Sequence, residues 1–194
     1  MSVQGFTFFD TAIGRCGLAW SERGIAAVLL PEGREIDLWR QMLRLYPEAK
    51  EARPGGPARQ AVDAIAAHLR GEPADLDALP VDLSDIEPFA LRVYEITRAI
   101  PSGTTRTYGE IAHELGSPGA ARAVGRALGQ NPVPIIIPCH RVLAANGGTG
   151  GFSGGSGVAT KFQILKIEGA KATSAPTLFD VLFSIPPSRE RNTN

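Results

Sequence analysis

The stretch Ile135-Ile136-Ile137-Pro138-Cys139-His140-Arg141-Val142 constrains the fold of this chain more than any other. An apolar run this dense belongs in a core, so the thiol at its end is carried inside with it. Cys139 follows a rigid proline and precedes an imidazole, which makes it a candidate nucleophile. A free thiol ionises near pH ~8.5, so only a few per cent is thiolate at neutrality. A reactive cysteine therefore needs a base or a positive surrounding. His140 is the candidate base. Adjacent side chains of an extended segment point to opposite faces, however, so the pair need not touch directly.

The rest of the chain is large enough to house such a site. With 194 residues, 43% of them hydrophobic, it can bury a core without disulfide or metal support. Two cysteines, Cys16 and Cys139, are too few for a disulfide framework or a cysteine-rich zinc site. The reading is a monomer in a reducing cytoplasm, with no metal and no cofactor. No apolar run reaches the length of a membrane span, and Met1 to Asp10 lacks a basic start and a sustained apolar core. Net charge is zero but unevenly spread. Residues 1–87 hold 9 Lys/Arg against 14 Asp/Glu, and residues 88–194 hold 11 against 6. A basic half carrying the reactive motif suits a polyanionic partner.

The pattern along the chain predicts an α/β (α+β) protein. Phe6–Asp10, Arg15–Trp20 and Gly24–Leu30 read as short strands between turn residues. Helices follow at Asp37–Leu45 and Pro57–Arg70, the second ended by Gly71. Residues 47–57 form a loop, and the acidic, proline-punctuated stretch 72–87 ends the first unit. The expected domains are 1–87, a small three-stranded sheet with helices, and 88–170, largely helical. Residues 171–194 are expected to be a tail, partly disordered. In the second unit Pro88–Ile100 starts with proline in its first turn and carries Phe89, Val93, Ile96 and Ile100 on one face. Thr107–Leu115, a Gly-Ser-Pro-Gly turn and Ala120–Leu128 have helix-turn-helix spacing. A last helix spans Thr160–Glu168. Cys16 reads as a structural residue of a strand, and His68 and His113 lie on helices without ligand partners, so neither is assigned a function.

Several strings occur together in the second unit: Ala121-Arg122-Ala123-Val124-Gly125, Asn131-Pro132-Val133-Pro134, Pro138-Cys139-His140-Arg141-Val142, Gly151-Phe152-Ser153-Gly154-Gly155 and Glu168-Gly169. Between about Pro88 and Gly169 they resemble the O6-alkylguanine-DNA alkyltransferases, which take the alkyl group of damaged DNA onto their own cysteine. The resemblance implies single-turnover repair of O6-alkylguanine, and of O4-alkylthymine, in double-stranded DNA. It implies that Cys139 is the acceptor, that His140 acts on it through a water, and that Glu168 orients the imidazole. By the same resemblance Tyr108 donates to the guanine N3 position and Ser153 to the oxygen. The carbonyls of Cys139 and Val142 accept from the exocyclic amine, and Phe152, where many relatives carry tyrosine, flanks the ring.

The damaged base must leave the duplex to reach the thiol. The resemblance assigns Arg122 to fill its place, from a second helix that lies in the minor groove with Ala121 beside it. Arg126, which replaces a small residue of relatives, is expected to contact phosphate. Asn131 is expected to tie that helix to the cysteine loop through backbone hydrogen bonds, and Arg141 to be structural. Pro134, Gly150 and Gly154 are compact wall residues, so groups larger than methyl should fit. The chain departs from the family in a segment, residues 154–161, about two residues longer than usual, and in having no counterpart to the N-terminal zinc ligands of some relatives. Three other functions remain open on the sequence: a non-catalytic protein that binds alkylated bases and recruits other repair factors, a cysteine hydrolase using Cys139 and His140, and a DNA-binding regulator.

Overall fold

The structure, a computed structural model, describes residues 2–145 and 154–170. The expected tail lies outside them, as do Gly150, Phe152 and Ser153. Strands β1 (Val3–Thr11), β2 (Gly14–Ser21) and β3 (Gly24–Leu29) form an antiparallel sheet in that order. Strand alternation sorts their side chains onto two faces. Phe6, Phe8, Ala19, Ala27 and Leu29 meet Leu38 and Met42 of α1 (Glu35–Leu45). Cys16, Leu18, Ile25 and Val28 face the other way, onto α2 (Gly56–Leu69). The helix α2 starts with proline in its first turn and buries Ala58, Ala61, Ile65, His68 and Leu69 along one stripe.

The second half is built from α3 (Pro88–Arg98), α4 (Tyr108–Glu114), α5 (Ala121–Gly129) and α6 (Val158–Ile167). Two short strands, β4 (Arg106–Thr107) and β5 (Val142–Leu143), pair in parallel. The three strands of the sheet and the six helices fall where the sequence predicts them, with ends shifted by a few residues, whereas β4 and β5 are not predicted. One face differs. Phe89, expected on the buried side of α3, is 38% exposed. The helix buries Val93, Tyr94 and Thr97 instead. That rotation sets Tyr94 against α5, where its hydroxyl donates to the Ala127 carbonyl at 2.8 Å.

One apolar core runs from Cys16 and Leu18 through Ile65 and Val93 to Val124, Ile135–Ile137 and Cys139. The segment that carries Cys139 is thus packed into the same core as the sheet. The edges of the sheet are joined to other parts of the chain. On β1, Phe6 N–H donates to Lys50 O at 3.1 Å and Ala52 N–H to Phe6 O at 2.9 Å. On β3, Ile25 N–H donates to Pro80 O at 2.9 Å, and Val28 N–H to Pro132 O at 2.9 Å. The last bond ties the sheet to the loop that leads to Cys139.

The approach of Pro80 to β3 requires Gly24. Its φ is +142°, and a Cβ there would lie 2.5 Å from the Pro80 oxygen. Gly24→Ala should cost about 2–4 kcal/mol, combining backbone strain with a clash against backbone. It should appear as a lower urea midpoint with an unchanged slope.

Candidate active site

Cys139 is positioned by a braced turn rather than by a helix or strand. Just beyond α5, Asn131 Nδ2–H donates to Ile137 O at 2.8 Å, and its Oδ1 accepts from Val133 N–H at 3.0 Å. Ile137 N–H in turn donates to Val133 O at 3.0 Å. Within this loop Ile135 has φ 75°, the one non-glycine residue in the left-handed region among those described. A β-branched residue is rare there and holds that backbone only because its surroundings over-determine it. Cys139–Arg141 then form a single 3-10 turn, with Val142 N–H donating to Cys139 O. The segment is therefore not extended, as the sequence suggests, because this bond curls it. Cys139 is 6% exposed.

Behind the thiol lies one buried negative charge. The side chain of Glu168, at the end of α6, is fully buried. Its Oε1 accepts from His140 Nε2–H and from His68 Nε2–H, each at 2.9 Å. Arg141 donates from Nη2 to Oε1 at 2.7 Å and from Nε to Oε2 at 3.1 Å, and from Nη1 to Ile100 O at 2.5 Å. Burial alone would raise the Glu168 pKa. The donors from His140, His68 and Arg141 outweigh it and hold the carboxyl well below the usual range.

An ionised carboxylate only accepts hydrogen bonds. Both histidine Nε2 atoms must therefore carry hydrogen. Burial lowers the His140 pKa, with Glu168 opposing, so His140 is neutral and its proton sits on Nε2. Its Nδ1 is then a bare acceptor, buried and without a hydrogen-bond partner. In this tautomer that nitrogen can accept a proton. The ligand atoms of His68, His140 and Glu168 lie within 4.8 Å of one another, a spacing that could hold a metal ion. Arg141 already neutralises the carboxylate, however, so a cation would meet a guanidinium rather than a free anion.

The opposite end of α6 supplies a positive charge. Lys161 is fully buried and donates to Val142 O at 2.5 Å. Its Nζ lies 5.9 Å from the centre of the Tyr108 ring. Burial lowers its pKa to about 8, and the nearby Cys139 pulls it back up. Burial pushes the Cys139 thiol up, while a hydrogen bond from Asn131 and the charge of Lys161 bring it down. Tyr108 begins α4 behind a capping box in which Thr107 and Glu110 satisfy each other's backbone amides. The β4–β5 pairing, Arg106 with Val142 and Thr107 with Leu143, sets this helix start beside the cysteine turn. Burial raises the Tyr108 pKa, so its phenol is a neutral donor.

The structure thus brings Cys139, His140, Glu168, Tyr108, Asn131 and Val142 into one region. The Val142 carbonyl, expected to accept from a base, already accepts from Lys161. Pro134 and Gly154 line, with Cys139 and Gly155, a cavity of about 340 Å3 that reaches Tyr46 beyond α1. Arg122 and Arg126 are exposed on α5, with Ala121 half-buried at its start. Phe152 and Ser153 lie outside the described residues. Two polar members escape a reading of the sequence. His68, expected to have no partner, meets Glu168. Lys161 shares a face with Ile164, Leu165 and Glu168, at helical spacing. In both cases the signal is a polar residue on a buried stripe, which must find a partner inside.

Residues 88–170 match the family model described as 6-O-methylguanine DNA methyltransferase, DNA binding domain. The methylated-DNA–protein-cysteine methyltransferase of Mycobacterium bovis is 46% identical over 120 residues, which cover 62% of this chain and 70% of that protein. The protein of that name from Methanosarcina acetivorans is 36% identical over 170 residues, covering 85% and 98%. Among solved structures, the Mycobacterium tuberculosis O6-methylguanine methyltransferase superposes with TM-score 0.68 at 35% identity, over 91% of this chain and 99% of that one. The Mycobacterium tuberculosis OGT in complex with DNA superposes with TM-score 0.69 at 34% identity, over 93% and 99%.

The place of Lys161 can be tested without DNA, by alkylating the thiol with a haloacetamide across pH. Lys161→Met should move the titration of Cys139 upward and slow its alkylation at pH ~7.5 by about fivefold or more. Cys16, whose pKa burial raises to about 11, should stay unreacted in both proteins. An unchanged Cys139 profile would remove Lys161 from the site.

Proposed function

This chain belongs to the methylated-DNA–protein-cysteine methyltransferase family, and from that premise we propose that Cys139 takes the alkyl group of O6-alkylguanine in duplex DNA, irreversibly and once per molecule. The observation that carries the reading is the bare, buried Nδ1 of His140, backed by a fully buried carboxylate. Cys139 gives its proton through a water to this nitrogen, and Glu168 stabilises the imidazolium that forms. The thiolate then attacks the alkyl carbon in line with the carbon–oxygen bond. A sulfur–carbon bond forms, the bond to the guanine oxygen breaks, and its electron pair stays with the base.

Guanine leaves more readily if a ring nitrogen is protonated as it departs. Tyr108 supplies that proton to N3, and the imidazolium proton restores the phenol. Lys161 keeps positive charge beside both the thiol and the phenol, favouring the anion that each forms. The product thioether is not readily hydrolysed, so no second turnover follows.

A base reaches Cys139 only by leaving the duplex, at a cost of a few kcal/mol that damage reduces. We assign α4 and α5 to the DNA, with Arg122 filling the vacated space, Ala121 close to the groove and Arg126 on phosphate. Minor-groove binding reads little sequence, which suits repair at any position. Ser153 and Phe152 complete the pocket, and O4-alkylthymine is a second substrate. A reducing cytoplasm suits the free thiol.

The test is intact-protein and peptide mass after incubation with duplex DNA carrying one O6-methylguanine. A gain of one methylene's mass on the Cys139 peptide, saturating at one per protein and absent in Cys139→Ala, is the expected result. Tight binding without a mass change would make the protein a damage-binding factor instead. The cavity volume further predicts transfer from O6-benzylguanine DNA, so an absence of benzyl adduct would count against a wide pocket.

A further inference from the structure

The role of α2 in this site goes beyond packing. We propose that His68 is a positioning residue for the transfer reaction, supplied by the N-terminal half, which holds the Glu168 carboxylate in the orientation that fixes the tautomer of His140. The proposal rests on the reading of Cys139 as the alkyl acceptor.

Three observations lead to it. First, the His68 side chain is 8% exposed and Glu168 is fully buried, so their 2.9 Å hydrogen bond is a built contact rather than a surface encounter. Second, His68 and His140 donate to the same oxygen, Oε1, at the same distance. The direction of the carboxylate is then set jointly by Arg141 from one side and by His68 from another element. Third, α2 is anchored to the sheet through Ala58, Ala61 and Ile65, and its end abuts the end of α6. A Cβ at Gly71 would lie 3.8 Å from the Ile167 carbonyl. His68 is therefore held by the N-terminal core and reports its position directly to Glu168.

The chemistry gives this bond a consequence that simple packing would not have. The charged and titratable groups facing His68 are Glu168 from α6, and His140 and Arg141 from the cysteine turn. When His140 takes the thiol proton, one carboxylate must serve an imidazolium and a guanidinium. The His68 donor holds Oε1 in place while that charge develops on His140. The site thus needs a donor at position 68.

The experiment measures the methylation rate of Cys139 at saturating O6-methylguanine duplex between pH 5.5 and 8.5, with DNA affinity measured in parallel. The proteins are the unaltered chain, His68→Leu and His68→Gln. His68→Leu removes the donor and should lower the rate about tenfold or more, the scale of a misplaced catalytic group, with DNA affinity unchanged. His68→Gln keeps a donor. It should recover to within about threefold of the unaltered rate. The proposal is overturned if His68→Leu transfers at the unaltered rate, if His68→Gln is as slow as His68→Leu, or if affinity changes instead of rate. Should His68→Leu fail to fold, His68→Phe, a ring without the donor, replaces it: a rate about tenfold lower supports the proposal and an unaltered rate overturns it. No transfer by the unaltered protein would instead overturn the assignment of Cys139, and this proposal with it.

Discussion

A carboxylate withdrawn from water stays ionised only if charged or strongly polar donors replace its hydration, and Glu168 has collected four of them on two oxygens. The arrangement around Cys139 follows from that requirement. Because Glu168 can only accept, the protons of His140 and His68 are placed on Nε2, and the face of His140 turned away from Glu168 is left basic. Because Arg141 takes much of the negative charge, burial can keep His140 neutral until it is asked to accept a proton. Removing one partner from a buried ion pair costs about 3–5 kcal/mol, so these groups stand or fall together. The helix α6 adds the complement two turns earlier, where Lys161 sets a positive charge near the thiol.

Much of this is legible in the amino-acid sequence itself. Short apolar runs with turn residues between them identify the three strands, proline starts mark α2 and α3, and Gly71 marks the end of α2. The Pro-Cys-His-Arg string singles out Cys139 as the candidate nucleophile, and Glu168 follows from resemblance. What is not legible depends on distance in sequence. His68 and Glu168 are 100 positions apart, and no local pattern says which buried donor meets which buried acceptor. Lys161 lies in the predicted last helix, but nothing local shows that it shares the buried face of Ile164 and Glu168. The orientation of Phe89 escapes the pattern for a related reason. A stripe of four apolar residues defines a face only approximately, and the hydroxyl of Tyr94 decides the rotation.

Local preference alone would not produce the cysteine turn. Ile135 sits where an isoleucine is least at ease, and Asn131 commits both ends of its amide to bonds with Ile137 and Val133. The turn is thus shaped by one side chain at the end of α5 and by the core that seals the isoleucines. Asn131 joins the end of α5 to the segment that carries the thiol, and Tyr94 fastens α5 to α3.

The small sheet carries a different lesson. Three antiparallel strands leave two open margins, and each open margin is a template on which another molecule's strand could pair. Here the outer side of β1 is taken by residues 50–52, and that of β3 by Pro80, Val81 and Pro132. Proline has no amide hydrogen, so Pro80 and Pro132 only accept from β3, while Asp82 N–H returns one bond to Ile25 O at 2.8 Å. The same bond that joins the sheet to the cysteine loop also closes the sheet. A protein whose reactive centre shares its core with exposed strand edges would risk self-association whenever that core loosened. In this chain both edges are closed by its own segments.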